Sequence, residues 1–578
     1  MLTSLTPEFL RSQTIGIDSR FITPFGERMM VYADYTASGR GLNFIEDYLK
    51  QLQQCYANSH TEDDSSGRFT TQTLHQAEQI IKKSVNAGSA GRLIVCGQGA
   101  TAAIDRMQQL VGVKQPASSR AMLNSLLRGF VGVDQVEAFE RYCQTHQPVV
   151  FVGPYEHHSN EISWRENLAT VREVKLAADG SIDLVHLEGL LNDPAYQGRL
   201  RIGSFSAASN VTGMRSPVRE IACLLHRYDA LAFFDYAASA PYVDIDMNPP
   251  GDERGDASLD AVFISPHKFL GGPGSSGVLV FNSRCYHSEL PPSIAGGGTV
   301  DYVGPEGHDF VESIEARESA GTPAILQTIK AALAFEVKEA VGIDLIEVRE
   351  LAMTRQAMQR WERHPQIEIL GNPDPQRRIG IISFNIRGRS GRYLHPRFVT
   401  TLLNDLFGLQ TRAGCSCAGP YGHQLLGIDE EQASEFRAVI AEGHCGIKPG
   451  WCRLGFHYTF DNLEVAYILD AVDFVAHHGH LFLEQYRFEH NSGAWQHKQW
   501  QGDESVLSLA DALQSRDALP KPESESSRGV HYQENLERAA EWAQLFKKEH
   551  SDESIRLDGE EGALQFFQLP KASMLKLR

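Results

Sequence analysis

The chain has 578 residues and a mass of 64.2 kDa, and length alone suggests roughly three or four structural units. Apolar residues make up 42% and charged residues 22%, an ordinary globular balance, and the formal charge of −19 disfavours a nucleic-acid partner. Nine cysteines spread over this length form no disulfide framework, and with no CxxC…CxxC spacing among them no metal site is expected.

The opening MLTSLTPEFLRSQ lacks a basic start followed by an apolar run, and no stretch approaches the ~18 apolar residues of a membrane span. A cytoplasmic chain with free thiols and no membrane partner is expected. Short β-rich runs then alternate with amphipathic segments. Strands are predicted at RLIVC (92–96), PVVFVG (148–153), RIGSFS (201–206), ALAFFD (230–235), AVFIS (261–265) and GVLVF (277–281), with helices over Thr101–Val111 and Pro217–His226. This alternation implies right-handed crossovers and a largely parallel sheet covered on both faces, with the ligand at the carboxyl ends of the strands. A long helix is predicted over 323–340, with proline at its start, leading into a smaller domain. Further on, HNSGAWQHKQWQGDES and LPKPESESSRG read as linkers, and a short amphipathic helix is predicted between Gln533 and His550.

Chemistry-bearing residues follow the predicted strands. Gly97-Gln-Gly-Ala100-Thr101 opens a helix, where glycines free backbone N–H groups to hold a phosphate. Tyr155-Glu-His157-His158-Ser-Asn160 offers an imidazole able to stack on a ring and shuttle protons. Asn210 brings an amide, and Asp235, closing LAFFD, a carboxylate that can pair with a protonated ring nitrogen. The strongest signal is Ile264-Ser265-Pro-His267-Lys268, followed by Phe-Leu-Gly-Gly-Pro-Gly-Ser-Ser-Gly277. A lysine desolvated at a strand end has its amine pKa lowered, as Schiff-base formation requires. Taken singly, each has a plainer reading: a turn glycine, a solvent-facing histidine pair, an N-cap aspartate or a surface lysine. Their order across successive strand ends makes the set specific.

These residues resemble the class V aminotransferase family of fold-type I pyridoxal 5'-phosphate (PLP) enzymes, cysteine desulfurases and selenocysteine lyases included, over residues 25–480. The similarity begins at Val31-Tyr-Ala-Asp34 and runs through Glu156-His157, Asn210, Asp235 and Lys268 to Glu318-Ser-Ala-Gly321-Thr322-Pro. It implies an α/β fold with a mostly parallel seven-stranded sheet in a PLP-binding large domain (25–344). A smaller α+β domain (345–482) would follow, with an N-terminal segment (1–24) and an extension of unknown role (483–578). By resemblance Lys268 carries the cofactor, His157 stacks on its ring, Asp235 pairs with the ring nitrogen, and Ala100, Thr101, Ser265 and His267 hold the phosphate. Asn210 lies near cofactor and substrate, and Thr322 lends a hydroxyl to the neighbouring subunit of a homodimer.

Two later segments bear on the reaction. Thr411-Arg412-Ala-Gly414-Cys415-Ser-Cys417-Ala-Gly-Pro420 looks like the mobile loop whose thiolate becomes a persulfide, which puts the nucleophile at Cys417. Trp451-Cys-Arg453-Leu-Gly resembles the segment whose arginine grips the substrate carboxylate through two parallel hydrogen bonds. Two departures stand out. The family reads Asp-x-Ala-Gln where this chain has Asp235-Tyr-Ala-Ala238, and an insertion containing ASEFRAVIAEGHCGIKPG separates Cys417 from Arg453. The resemblance implies an L-cysteine desulfurase with an amino-acid substrate and a sulfur-acceptor protein. The alternatives are another class V reaction (aminotransferase, epimerase, selenocysteine lyase) and a non-catalytic sulfur-relay scaffold.

Overall fold

A computed structural model describes residues 5–59, 61–251, 253–388, 391–500, 502, 523–548 and 554–570. Two units emerge: Met1–Leu5 with Ala37–Glu347, and Thr6–Thr36 with Val348–Arg578.

The first unit is built on seven strands: β1 (Gly91–Cys96), β2 (Val149–Val152), β3 (Thr170–Glu173), β4 (Arg201–Ser206), β5 (Leu231–Asp235), β6 (Ala261–Ile264) and β7 (Gly277–Asn282). Their spatial order is β1-β7-β6-β5-β4-β2-β3. The pairs from β6 to β3 are parallel, while β7 runs antiparallel to both β6 and β1. This is the mostly parallel seven-stranded sheet that the family resemblance implies. The central strands are unbroken apolar runs because both sheet faces are covered: every residue of VVFV in β2 and AVFI in β6 is buried. All six predicted strands form, within a residue of their expected ends. The seventh, β3, is an edge strand of mixed exposure whose TVRE sequence carries little β signal.

Helix α1 (Gly99–Leu110) follows β1 and buries Ala103, Ile104 and Met107 against the sheet core. Helices α2 (Ala117–Val131) and α3 (Val133–His146) form a hairpin that the sequence reading does not anticipate. No residue of α2 is buried, and Phe130 is 88% exposed. Helices α4 (Val218–Arg227) and α5 (Ile325–Val341) fall where helices are predicted.

The second unit holds a four-stranded antiparallel sheet of β8 (Ile367–Ile369), β9 (Ile381–Ile386), β10 (Arg412–Gly414) and β11 (Trp451–Gly455), ordered β8-β9-β11-β10. The unit also holds α6 (Glu430–Ala441), α7 (Asn462–His478), α8 (Glu525–Lys547) and α9 (Gly559–Leu564), with α6 against α9 and α7 against α8. An ionic cluster draws Arg11, Asp18 and α8 onto α7. Arg11 pairs with Glu464 at 2.8 Å and Asp18 at 2.7 Å, and Arg528 from α8 pairs with Asp461, the α7 N-cap. Tyr532 of α8 stacks on Tyr467 of α7 with ring centroids 4.1 Å apart. The segment read as the first linker instead contributes to a hairpin, β12 (Tyr486–Glu489) and β13 (Ala494–His497), with Phe488 and Trp495 buried. The predicted tail helix starts earlier than expected, at Glu525, after Ser524 caps it. Residues 501 and 503–505 of the first predicted linker and 519–522 of the second lie outside the described residues.

Candidate active site

A cleft of about 290 Å³ opens at the carboxyl ends of the parallel strands, lined among others by Ala100, Thr101, His157, Asn210, Asp235, Ser265, His267 and Lys268. Eight of the predicted site residues therefore converge in the first unit. Cys417 and Arg453 belong to the second unit, and exposed Thr322 does not line the cleft, its hydroxyl accepting from Asn58 Nδ2 at 3.3 Å.

Lys268 ends a single 3-10 turn, Pro266–Lys268, immediately after β6. That turn is clamped from outside: the Gly39 N–H donates to the His267 carbonyl at 2.9 Å. A β-carbon on Gly39 would stand 1.9 Å from the Phe269 carbonyl oxygen, so this approach needs glycine. Burial, and secondarily the charge of Lys268, push the His267 pKa down to about 4, so its ring is neutral at neutral pH.

The other end of the cleft is a set of donors at the start of α1. The Ala100 N–H donates to Ser265 Oγ at 2.9 Å, which leaves the Ser265 hydroxyl hydrogen to donate elsewhere. Thr101 Oγ1 lies 2.7 Å from Ser159 Oγ. Gly99 adopts φ +61°, and a β-carbon there would sit 2.8 Å from both Ser265 Oγ and His267 Cε1. Gly99→Ala is expected to displace these two side chains and to weaken cofactor retention by about tenfold, given the ~1–2 kcal/mol cost of a left-handed alanine. Equilibrium dialysis against free cofactor checks this.

Ser159 is a residue the sequence reading missed. Its backbone N–H donates to His157 Nδ1 at 3.1 Å, so neutral His157 carries its proton on Nε2. The signal was present in a hydroxyl two residues after the histidine, a spacing that suits a tight turn. Glu156 was read only as part of a motif. It is buried, with Oε1 accepting from the Gly153 and Ser206 N–H groups and Oε2 from Asn160 Nδ2 and Ser206 Oγ. It thus ties the end of β2 to the end of β4 and fixes the turn that carries His157. Burial raises its pKa to about 7, opposed by the Ser206 and Asn160 donors.

Asp235 ends β5 and is 5% exposed, its Oδ1 accepting from the Ala237 N–H at 2.8 Å. Burial raises its pKa, opposed by that N–H and by the charge of Lys268. A carboxylate buried this deeply suits a cationic partner such as a protonated ring nitrogen. The residues present fit PLP: a lysine amine, a buried acid, an imidazole and a donor cradle at a helix start, in a cleft sized for one small ring.

In the second unit, β11 carries Arg453, which is buried and donates from Nη2 to Asp34 Oδ1 at 3.0 Å. Arg412 donates from Nε to the other oxygen of Asp34 at 2.9 Å. Burial lowers the Arg453 pKa, opposed by Asp34. Cys417 is exposed on the loop after β10, where Ser416 (φ +50°) and Cys417 (φ +57°) are both left-handed, a conformation unfavourable for side chains of this kind. The thiol thus sits outside regular structure, in the turn at 416–417.

The sheet order and the lysine turn define a fold-type I PLP-dependent transferase fold. The sequence profile of the Aminotransferase class-V family matches residues 137–467, and the chain belongs to that family. A probable cysteine desulfurase of Halalkalibacterium halodurans is 28% identical over 399 residues, covering 68% of this chain and 84% of that protein. One of Staphylococcus epidermidis is 27% identical over 417 residues, covering 71% and 88%. Among solved structures, the apo cysteine desulfurase of Thermococcus onnurineus aligns with TM-score 0.59 at 19% identity, over 78% of this chain and 95% of that one. The Escherichia coli cysteine desulfurase CsdA aligns with TM-score 0.59 at 20% identity, over 81% and 98%. Among the described residues no helix is long and apolar enough to cross a membrane.

Proposed function

We propose that the chain is a PLP-dependent cysteine desulfurase that converts L-cysteine to L-alanine and takes the sulfur onto Cys417. The observation that carries this reading is one polypeptide with both a Lys268 cleft suited to PLP and an exposed Cys417 on a strained loop. The relatives named cysteine desulfurase support it.

Lys268 would hold the cofactor, Asp235 would pair with its ring nitrogen, His157 would stack on its ring, and Ala100, Thr101, Ser265 and His267 would hold its phosphate. When bound, PLP supplies an electron sink for charge developing on the substrate carbon skeleton. Arg453, held by Asp34, takes the substrate carboxylate through its planar fork, and Asn210 lies beside the reacting face. Lys268 Nζ removes the α-proton. Cys417 thiolate attacks the substrate sulfur, so a sulfur–sulfur bond forms as the carbon–sulfur bond breaks. The electron pair left on the carbon side takes protons, for which His157 Nε2–H is one source, and alanine leaves. Substrate carbon is thereby reduced, while its sulfur is oxidised to the outer atom of a persulfide that a second thiol can accept. In this reading Thr322 serves the neighbouring subunit of a homodimer, the acceptor is a thiol protein, and the setting is cytoplasmic.

Addition of L-cysteine to the PLP-loaded protein tests this. A shift of the visible absorption band with equal yields of sulfide and alanine, in the presence of a reducing thiol, is the expected result. A spectral shift without sulfide would mean a different class V reaction, and no cofactor band would sink the catalytic reading.

A further inference from the structure

The proposed reaction leaves three side chains of the second unit unused. His444 follows α6, His490 follows β12, and Glu561 lies in α9. One ligand-capable atom from each lies within 4.8 Å of the others. His444 Nδ1 is 3.0 Å from His490 Nδ1 and 3.0 Å from Glu561 Oε1, and His490 Nε2 contacts Glu561 Oε2. We propose that His444, His490 and Glu561 bind one divalent transition-metal ion, zinc by chemistry, which fastens the C-terminal segment to the insertion before β11.

Neutral imidazole nitrogens and a carboxylate oxygen each present a lone pair, and here the three converge from segments far apart in sequence. Around a tetrahedral ion with bonds of about 2.0–2.1 Å, ligand atoms stand roughly 3.3 Å apart, close to the 3.0 Å that separates His444 Nδ1 from His490 Nδ1 and from Glu561 Oε1, with the whole set within 4.8 Å. Two imidazoles with one carboxylate suit zinc and its neighbours, whereas calcium and magnesium favour oxygen-only sets. Three protein ligands leave a fourth position for water.

The scaffold around the cluster is built rather than loose. The His444, His490 and Glu561 side chains are 28%, 16% and 19% exposed. The Gly446 N–H donates to the His490 carbonyl at 2.8 Å, and the Cys445 N–H to the Asn491 carbonyl at 3.2 Å, zipping the insertion to the hairpin turn. A β-carbon at Gly446 would meet the His490 carbonyl oxygen at 2.5 Å, so the approach depends on glycine. Buried His395 lies 3.1 Å from the Gly446 carbonyl oxygen through Nε2 and holds the same turn from beneath. The ion would join the insertion, the hairpin turn and α9, and because it binds the folded state it would stabilise the second unit.

The test is zinc titration of the full-length, PLP-loaded protein after chelator treatment and desalting, followed by calorimetry, metal analysis and thermal melting. Wild type is expected to bind one equivalent and to melt at higher temperature with zinc. Glu561→Gln, which keeps the side-chain shape, should bind at least about tenfold more weakly, and His490→Ala should lose both the equivalent and the thermal shift. A Cys415→Ser/Cys417→Ser double variant should keep both, because the loop thiols are not the ligands. Equal zinc binding by wild type and Glu561→Gln, or loss of binding in the double-serine variant, would overturn the assignment. So would the absence of stoichiometric zinc in wild type, which would leave the cluster a hydrogen-bonded triad.

Discussion

Lys268→Ala is expected to lower alanine and sulfide production by about 10³-fold or more, since the amine is both the cofactor anchor and the base. The variant should also lose its cofactor on dialysis, because the remaining cleft donors hold only the phosphate and ring. Added methylamine should restore a small fraction of turnover by supplying a diffusible amine. Folding should be intact: Lys268 is half-buried, and its turn is held by backbone bonds from Gly39 and within Ser265–Phe269. Full activity in Lys268→Ala would mean that the chemistry lies elsewhere in the chain.

Cys417→Ser carries the second large effect. Serine preserves the size and the left-handed geometry of the loop but supplies no thiolate, so sulfide release should fall by at least about 10²-fold, the scale on which a positioned reacting group contributes. The cofactor band and its response to L-cysteine should remain, because Cys417 is not among the residues that line the cleft. Cys415→Ser should be far milder, as the family pattern puts the nucleophile two residues later. Undiminished sulfide from Cys417→Ser with an external thiol would reject an obligatory persulfide there. It would leave the PLP assignment standing.

How much of this was legible in the sequence follows from the range of the interactions. Strands buried on both faces must be apolar throughout, so LAFFD, AVFIS and GVLVF stood out as runs, and the cofactor set lay directly after them. The lysine turn could be read locally because its glycines mark where backbones approach closely. The exposed α2–α3 hairpin gave no such signal, since helices that bury almost nothing show no strong apolar face for periodicity to detect. Residues 490–497 misled for a similar reason. Their polar composition reads as a linker, yet alternate positions bury Trp495 and His497 in a two-stranded hairpin.

The sequence by itself determined the sheet, the Lys268 turn and the identity of the groups that meet in the cleft, because each depends on patterns within a few residues and on strand ends that face one way. Only the tertiary structure decided that Ser159 sets the tautomer of His157, and that Asp34 is shared by Arg412 and Arg453. It alone joined residues 6–36 to the tail through Arg11 and Arg528, and brought His444, His490 and Glu561 together. These are pairings between residues distant in the chain, whose register is set by packing of whole elements and leaves no local periodicity to read.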